Sequence, residues 1–113
     1  MTKQPIIESG GDNIFANLGL ADSGVHFLKA QIVAELYRLV REHSLSQSAA
    51  GLRMGISQPE VSRLFKGNFR EYSVERLLGF LTAFDQDVEI VSRPKSVETE
   101  KAEVRFRQVA VEA

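Results

Sequence analysis

The sequence predicts a mainly α, compact domain of four to five short helices that ends in one or two short β-strands. Apolar residues recur at helical spacing in three stretches, within residues 23–43, 45–66 and 73–84. Serine or glycine stands where the caps and turns between these helices would fall. After residue 87, apolar and charged residues alternate as they do in a half-buried strand. A chain of 113 residues, 43% hydrophobic and 26% charged, suits one such domain.

The composition excludes several classes of function. The chain has no cysteine, and therefore no disulfide and no thiolate metal site. No apolar run approaches the roughly 20 residues of a membrane span, and the first residues lack a secretory signal, so we expect a cytoplasmic protein with no membrane partner. His26 and His43 are far apart and have no ligand pattern around them. Without a nucleophile–base pair or a phosphate-binding glycine loop, we expect no enzyme, metal, cofactor or small-molecule ligand.

Residues 1–22 are predicted to form a flexible arm, because they are rich in Gly, Asn, Asp and Ser. Within the arm, the segment NIFANLGL carries four large apolar side chains, and Asp12 or Asn13 could cap one helical turn there. Two interpretations stay open. The segment either covers the core or becomes ordered only on a partner.

A long first helix is predicted from Ser23 to His43. Its apolar residues recur every three or four positions and its charged residues lie off that stripe. The stripe consists of Val25, Leu28, Ile32, Leu36, Leu39 and Val40, and the charged residues are Lys29, Glu35, Arg38, Arg41 and Glu42.

Two short helices joined by a tight turn follow, within LSQSAAGLRMGISQPEVSRLFKG. Gln47 opens the first helix, Gly51 stands where the helices would cross, and Gly55 lies in the turn. The apolar residues expected to hold the pair together are Leu52, Met54, Ile56, Val61, Leu64 and Phe65. This is the layout of a helix-turn-helix motif, here residues 46–66. A glycine inside a helix costs roughly 0.5–1 kcal/mol of stability relative to alanine. Close approach of the second helix would explain why a glycine is nevertheless present at residue 51.

Local signals place the start of the second helix at Gln58. Gly55 suits the left-handed conformation that most helix C-caps need. Ser57 and Glu60 form a capping box, with Ile56 and Val61 as a hydrophobic staple. Pro59 falls in the first turn, where its missing N–H removes no helical hydrogen bond.

The free face of this second helix carries side chains that suit DNA recognition. Arginine can pair with guanine, glutamine with adenine, and serine with either base. Polar residues flanking the helix, and the helix N-termini, can meet backbone phosphates. The predicted DNA-binding residues are Ser46, Gln47, Ser57, Gln58, Ser62, Arg63, Lys66, Asn68 and Arg70. The alternative is that these residues form an ordinary solvated surface.

A fourth helix, SVERLLGFLTAF, is predicted to start after the cap residue Ser73 and to complete the core. Two strand-like runs follow, residues 88–93 and 103–111, which need partners because a lone hairpin is marginal in water. They could pair with each other or with the same strands of a second copy. Such pairing would cover an exposed edge. We favour the second copy, because reading two half-sites of DNA independently requires a dimer. The predicted organisation is an arm at 1–22, a DNA-binding domain at 23–93 and a C-terminal strand or tail at 94–113.

The charge distribution also favours a dimer. The net charge is only −1, but the charges are unevenly distributed. Residues 44–72 carry four basic and two acidic side chains, whereas residues 73–91 carry one basic and four acidic side chains. With so few cations, one copy should bind DNA weakly. We therefore expect a homodimer on a palindromic double-stranded operator.

The central stretch resembles the helix-turn-helix of Cro-like, phage-repressor-type regulators, the XRE superfamily. NIFANLGL before it and SVERLL and DVEIVSRPK after it make residues 13–95 similar to HigA-type antitoxins. By position, Gln47, Gln58, Ser62, Arg63 and Lys66 match residues that such regulators use on DNA, whereas Gly51 departs from the usual alanine. The resemblance implies a homodimeric repressor of its own toxin–antitoxin operon that also neutralises a RelE/HigB-like ribonuclease toxin by direct binding.

Two other functions remain open from the residues alone. The first is a stand-alone repressor of a prophage or mobile element with no toxin partner. The second is a protein-interaction module that has kept the fold and lost DNA binding, which the polar face of the second motif helix argues against.

Overall fold

The structure, a computed structural model, describes residues 22–109, and the chain forms four helices within this part. They are α1 (Asp22–Glu42), α2 (Gln47–Met54), α3 (Gln58–Phe65) and α4 (Val74–Thr82). Helices α2 and α3 pack against each other, and α1 packs across α4 and α3. The mainly helical class is therefore confirmed. The predicted arm and its helical turn lie almost wholly outside the described residues.

The core is the apolar side of α1 closed by the other three helices. Five of the six predicted stripe residues on α1 are buried, and Val25 is half-buried. The core consists mainly of Leu28, Ile32, Val33, Leu36, Leu39, Val40, Ala50, Met54, Val61, Leu64, Phe69, Val74, Leu77, Phe80, Leu81 and Phe84. Glu35 was predicted to lie off the stripe but is only 7% exposed. Arg38 compensates its charge through two hydrogen bonds of 2.8 and 2.9 Å.

The helix boundaries follow the predicted caps closely. Ser46, Ser57 and Ser73 each cap a helix N-terminus by accepting a hydrogen bond from a backbone N–H three residues on. Gly55, at φ 79°, ends α2 in the left-handed conformation, as predicted. Helix α4 ends at Thr82, two residues earlier than predicted. Phe84 is nevertheless fully buried beyond the helix end.

Helices α2 and α3 cross at Gly51. A Cβ atom there would lie 2.5 Å from the carbonyl oxygen of Ile56 and 3.4 Å from a methyl group of Val61. The close approach expected from the sequence is therefore confirmed. The role predicted for Leu52 was wrong, because its side chain is 87% exposed. Leu52 lies on the opposite side of α2 from the buried residues Ala50 and Met54.

No β-strand forms among the described residues, and residues 86–109 have no regular helix or strand. The predicted strands are therefore not confirmed in the single chain, and their role in a dimer stays a prediction. The C-terminal stretch is anchored at Phe106. Its ring packs against the core and its backbone N–H donates to Oε1 of Gln31 over 3.0 Å. None of the described helices has the length and apolar character needed to cross a membrane.

Candidate nucleic-acid interface

The N-termini of α2 and α3 meet at one corner of the molecule. Gln47 and Gln58 are the first residues of their helices, and Nε2 of Gln58 donates a 2.7 Å hydrogen bond to Oε1 of Gln47. The Ser46 hydroxyl caps α2 by accepting from the Ala49 N–H over 3.0 Å. Two predicted DNA-binding glutamines are thus fixed relative to each other, with their helix N-termini side by side.

The capping box fixes the start of α3. The Ser57 N–H donates to Oε1 of Glu60 over 2.9 Å, and the Glu60 N–H donates to the Ser57 hydroxyl over 3.3 Å. The backbone hydrogen bond from Ser57, followed by the bond to its side chain, lowers the pKa of the Glu60 carboxyl below its ordinary value. Ser57 therefore has a structural role in addition to the predicted DNA contact, which stays a prediction.

Helix α3 is divided into a buried and a free side as its sequence predicts. Val61 and Leu64 are fully buried and Phe65 is half-buried. On the other side, Gln58, Pro59, Arg63 and Lys66 are exposed and Ser62 is half-buried. Arg63 and Lys66 form no ion pair within the described part of the chain. Their cationic groups are thus available for a ligand.

A second group of predicted residues lies around the C-terminal end of α3. Arg63, near the end of the helix, and Asn68 and Arg70, beyond it, line one depression. Its lining also includes the acidic Glu60 and Glu71 and two basic residues that the sequence analysis missed, His26 and Arg76. His26 stacks on Phe69 with 4.9 Å between ring centroids. Its place beside α3 depends on the packing of α1, so no local sequence signal could have found it.

The loop between α3 and α4 is fastened to α1 at this depression. The Lys29 ammonium donates to the Arg70 carbonyl oxygen over 2.9 Å. Partial burial of Lys29, and next the positive charge of Arg70, lower the pKa of that ammonium. The bond holds the Arg70 backbone in place, while the exposed guanidinium remains available.

Not every basic residue of the motif faces this surface. The Arg53 guanidinium lies over the Phe84 ring at 5.0 Å, donates to the Ala83 carbonyl oxygen over 3.1 Å and approaches Asp85 at 3.5 Å. Arg53 therefore ties α2 to the C-terminal end of α4. The Arg53 guanidinium therefore does not contribute to the positive charge expected at the DNA interface.

Comparison with known proteins agrees with this geometry. The family described as "Helix-turn-helix domain" matches residues 14–93, well over half of the chain. The chain belongs to this helix-turn-helix family. A solved structure described as "Putative XRE Family Transcriptional Regulator" is 40% identical and superposes with a TM-score of 0.69, covering 80% of this chain and 100% of its own. No curated protein matches the chain.

The helix-turn-helix protein is thus a member of the XRE family, whose fold is that of DNA-binding transcriptional regulators. Its family and fold are not typical of enzymes. These comparisons identify the XRE family and do not distinguish HigA-type antitoxins within it. No group of three metal-ligating side chains occurs within residues 22–109.

Proposed function

We propose that the protein is a sequence-specific transcriptional repressor that binds its operator as a homodimer in the cytoplasm. The observation that carries the proposal is the free face of α3, exposed at Gln58, Arg63 and Lys66 and oriented at its start by the bond to Gln47. In this reading, α3 enters the major groove with its N-terminal residues nearest the bases.

The side chains divide into base-reading and phosphate-binding groups. Gln58 suits adenine and Arg63 suits guanine, since each can make two hydrogen bonds to its base. Lys66, Asn68 and Arg70 follow the helix and could contact phosphates, which would fix the register without reading sequence. Ser46 and Ser57, at the two helix N-termini, lie beside N–H groups that favour an anion.

The small number of cations supports binding as a dimer. Arg53 is bound to α4, so the interface of one copy has few phosphate contacts. A single motif would then bind weakly, whereas two copies on half-sites one helical turn apart would combine their affinities.

The deciding experiment is a mobility-shift titration with DNA from just upstream of the gene, at two salt concentrations and against a scrambled duplex. We expect specific, salt-sensitive binding of a dimer. Arg63→Ala should weaken specific binding by about 1–3 kcal/mol and relax the base preference. A folded dimer that does not distinguish the two duplexes would contradict the proposal and favour a protein-interaction module.

For the biological role, we propose an antitoxin that represses its own operon and neutralises a RelE/HigB-like toxin. The support is the resemblance of residues 13–95 to HigA-type antitoxins, carried by NIFANLGL, SVERLL and DVEIVSRPK. The alternative is a stand-alone repressor of a prophage or mobile element. Co-expression with the adjacent reading frame separates them. An antitoxin should restore growth that the neighbouring protein arrests, whereas a neighbour without toxicity would favour the stand-alone repressor.

A further inference from the structure

We propose that residues 87–91 pair, as antiparallel strands, with residues 103–107 of a second copy of this chain. This inference rests on the homodimer of the proposed function and names the surface that would form it. Each dimer would contain the pairing twice, because a twofold axis exchanges the two segments.

The first observation is that the backbone of residues 87–91 forms no hydrogen bonds within the described part of the chain. No residue from 86 to 109 has a positive φ, so this backbone can join a strand without passing through a disfavoured conformation. Ile90 and Val91 are 69% and 66% exposed. An uncovered, apolar, unpaired segment is an edge that folded proteins usually cover.

The second observation is charge complementarity between the two segments. In an antiparallel register that sets Glu89 opposite Arg105, Asp87 falls opposite Arg107. Cross-strand pairs of opposite charge stabilise a sheet, and these four residues would all lie on one face. Asp87, Glu89 and Arg107 form no ion pair within residues 22–109. Arg105 has only an exposed 3.2 Å contact with its near neighbour Glu103.

The same register aligns the apolar residues on the opposite face. Val88 falls opposite Phe106, and Ile90 falls opposite Val104. Phe106 already packs against the helical core, and its backbone is bonded to Gln31 on α1. The apolar face of the strand pair would therefore rest on the helices, and the charged face would meet solvent, as in a sheet covered on one side.

The connecting segment favours a second copy over a hairpin within one chain. The two segments are joined by the eleven residues 92–102, whereas hairpin loops typically have about 2–5 residues. The chain does not pair its own two segments, although both are present in the described part. Partner strands from another copy need no such loop.

Exchanging one charge pair tests the proposal, with the full-length protein and no DNA. Glu89→Arg alone would place like charges together twice in each dimer, and so would Arg105→Glu alone. Each should raise the dimer dissociation constant about tenfold in sedimentation equilibrium. An equimolar mixture of the two variants should form heterodimers of nearly wild-type affinity, because every pair in that heterodimer is again of opposite charge. Glu98→Arg makes the same change of charge outside both segments and should leave the dimer unchanged.

Rescue by mixing is specific to exchange between chains. If the segments paired within one chain, mixing the variants would restore nothing. A wild-type chain that is monomeric, or single variants that dimerise as well as wild type, would also overturn the proposal. Circular dichroism of each variant checks that the helices remain folded.

A cysteine pair gives a second readout, since the chain has no cysteine of its own. When Ile90→Cys is mixed with Val104→Cys and oxidised, we expect a disulfide-linked heterodimer. Val91→Cys, on the opposite face, should link poorly to Val104→Cys, and equal yields would contradict the register. Operator binding is measured separately on wild type. A protein that binds its operator but fails the exchange test would retain the proposed function and lose only this pairing.

Discussion

Gln58 donates a 2.7 Å hydrogen bond from Nε2 to Oε1 of Gln47, which joins the first residue of α3 to the first residue of α2. The bond uses one of the two N–H groups of the Gln58 amide. The other N–H and the carbonyl oxygen remain, and these are the donor and acceptor that pair with N7 and N6 of adenine. Gln47 therefore orients the side chain that we propose reads a base.

Gln47→Ala should weaken specific DNA binding more than non-specific binding. Loss of the orienting bond should weaken the free energy of binding to the operator by roughly 0.5–1.5 kcal/mol. The affinity for a scrambled duplex should change little. Fluorescence anisotropy on both duplexes measures the difference. Ser48→Ala, at the next position of the same helix, is the matched control. Equal losses on both duplexes would mean that Gln47 contacts only the phosphate backbone.

Gly51→Ala should destabilise the fold, whereas Gly79→Ala should stabilise it. A Cβ at residue 51 would lie 2.5 Å from the Ile56 carbonyl oxygen, and nothing lies within 4 Å of a Cβ at residue 79. Overpacking at residue 51 should cost about 1–3 kcal/mol, more than the helix propensity that alanine restores. At residue 79 only the propensity gain of about 0.5–1 kcal/mol remains. Urea unfolding measures both, and a stabilised Gly51→Ala would show that the crossing can open without penalty.

The sequence predicted the helices well, because their signals are local. Ser57, Ser73 and Gly55 occupy the cap positions assigned to them. The prediction for Leu52 was wrong because it considered only that leucine is apolar and not the angular position of residue 52 around the helix. Ala50, Gly51 and Met54 define the buried side of α2, and Leu52 lies on the other side.

The remaining features depend on contacts that are remote in sequence. Glu35 lines a cavity together with Phe106 and Arg107 of the C-terminal stretch, and Arg38 neutralises its charge. His26 joins the depression at the end of α3 through tertiary packing. The alternation after residue 87 was real, but a strand needs a partner backbone, and one chain alone does not supply it here.

Lys66→Ala should weaken binding to all DNA sequences alike. Lys66 is exposed at the end of α3, where a phosphate contact is expected. Losing one such contact should flatten the slope of log affinity against log salt by about one unit. Arg53→Ala removes a charge of the same sign that is bound to Ala83. It should leave the slope unchanged and lower stability instead. Identical slopes for wild type and Lys66→Ala would place Lys66 outside the interface.

The capping box should make stability depend on pH in the acid range. Because the Ser57 N–H holds the pKa of Glu60 below its ordinary value, the unfolded chain binds more protons than the folded chain between the two pKa values. Stability therefore rises with pH across that window. The contribution is fully present above the ordinary glutamate pKa and is lost as the pH falls through the folded one.

Glu60→Gln tests this contribution, since the amide oxygen can still accept from Ser57 but carries no charge. We expect lower stability than wild type at neutral pH and a flatter dependence below it, measured by urea unfolding at several pH values. Glu71→Gln, an exposed glutamate in the following loop, should keep the wild-type dependence. If Glu60→Gln matched wild type at every pH, the charge of Glu60 would contribute nothing to the cap, and the box would act through hydrogen-bond geometry alone.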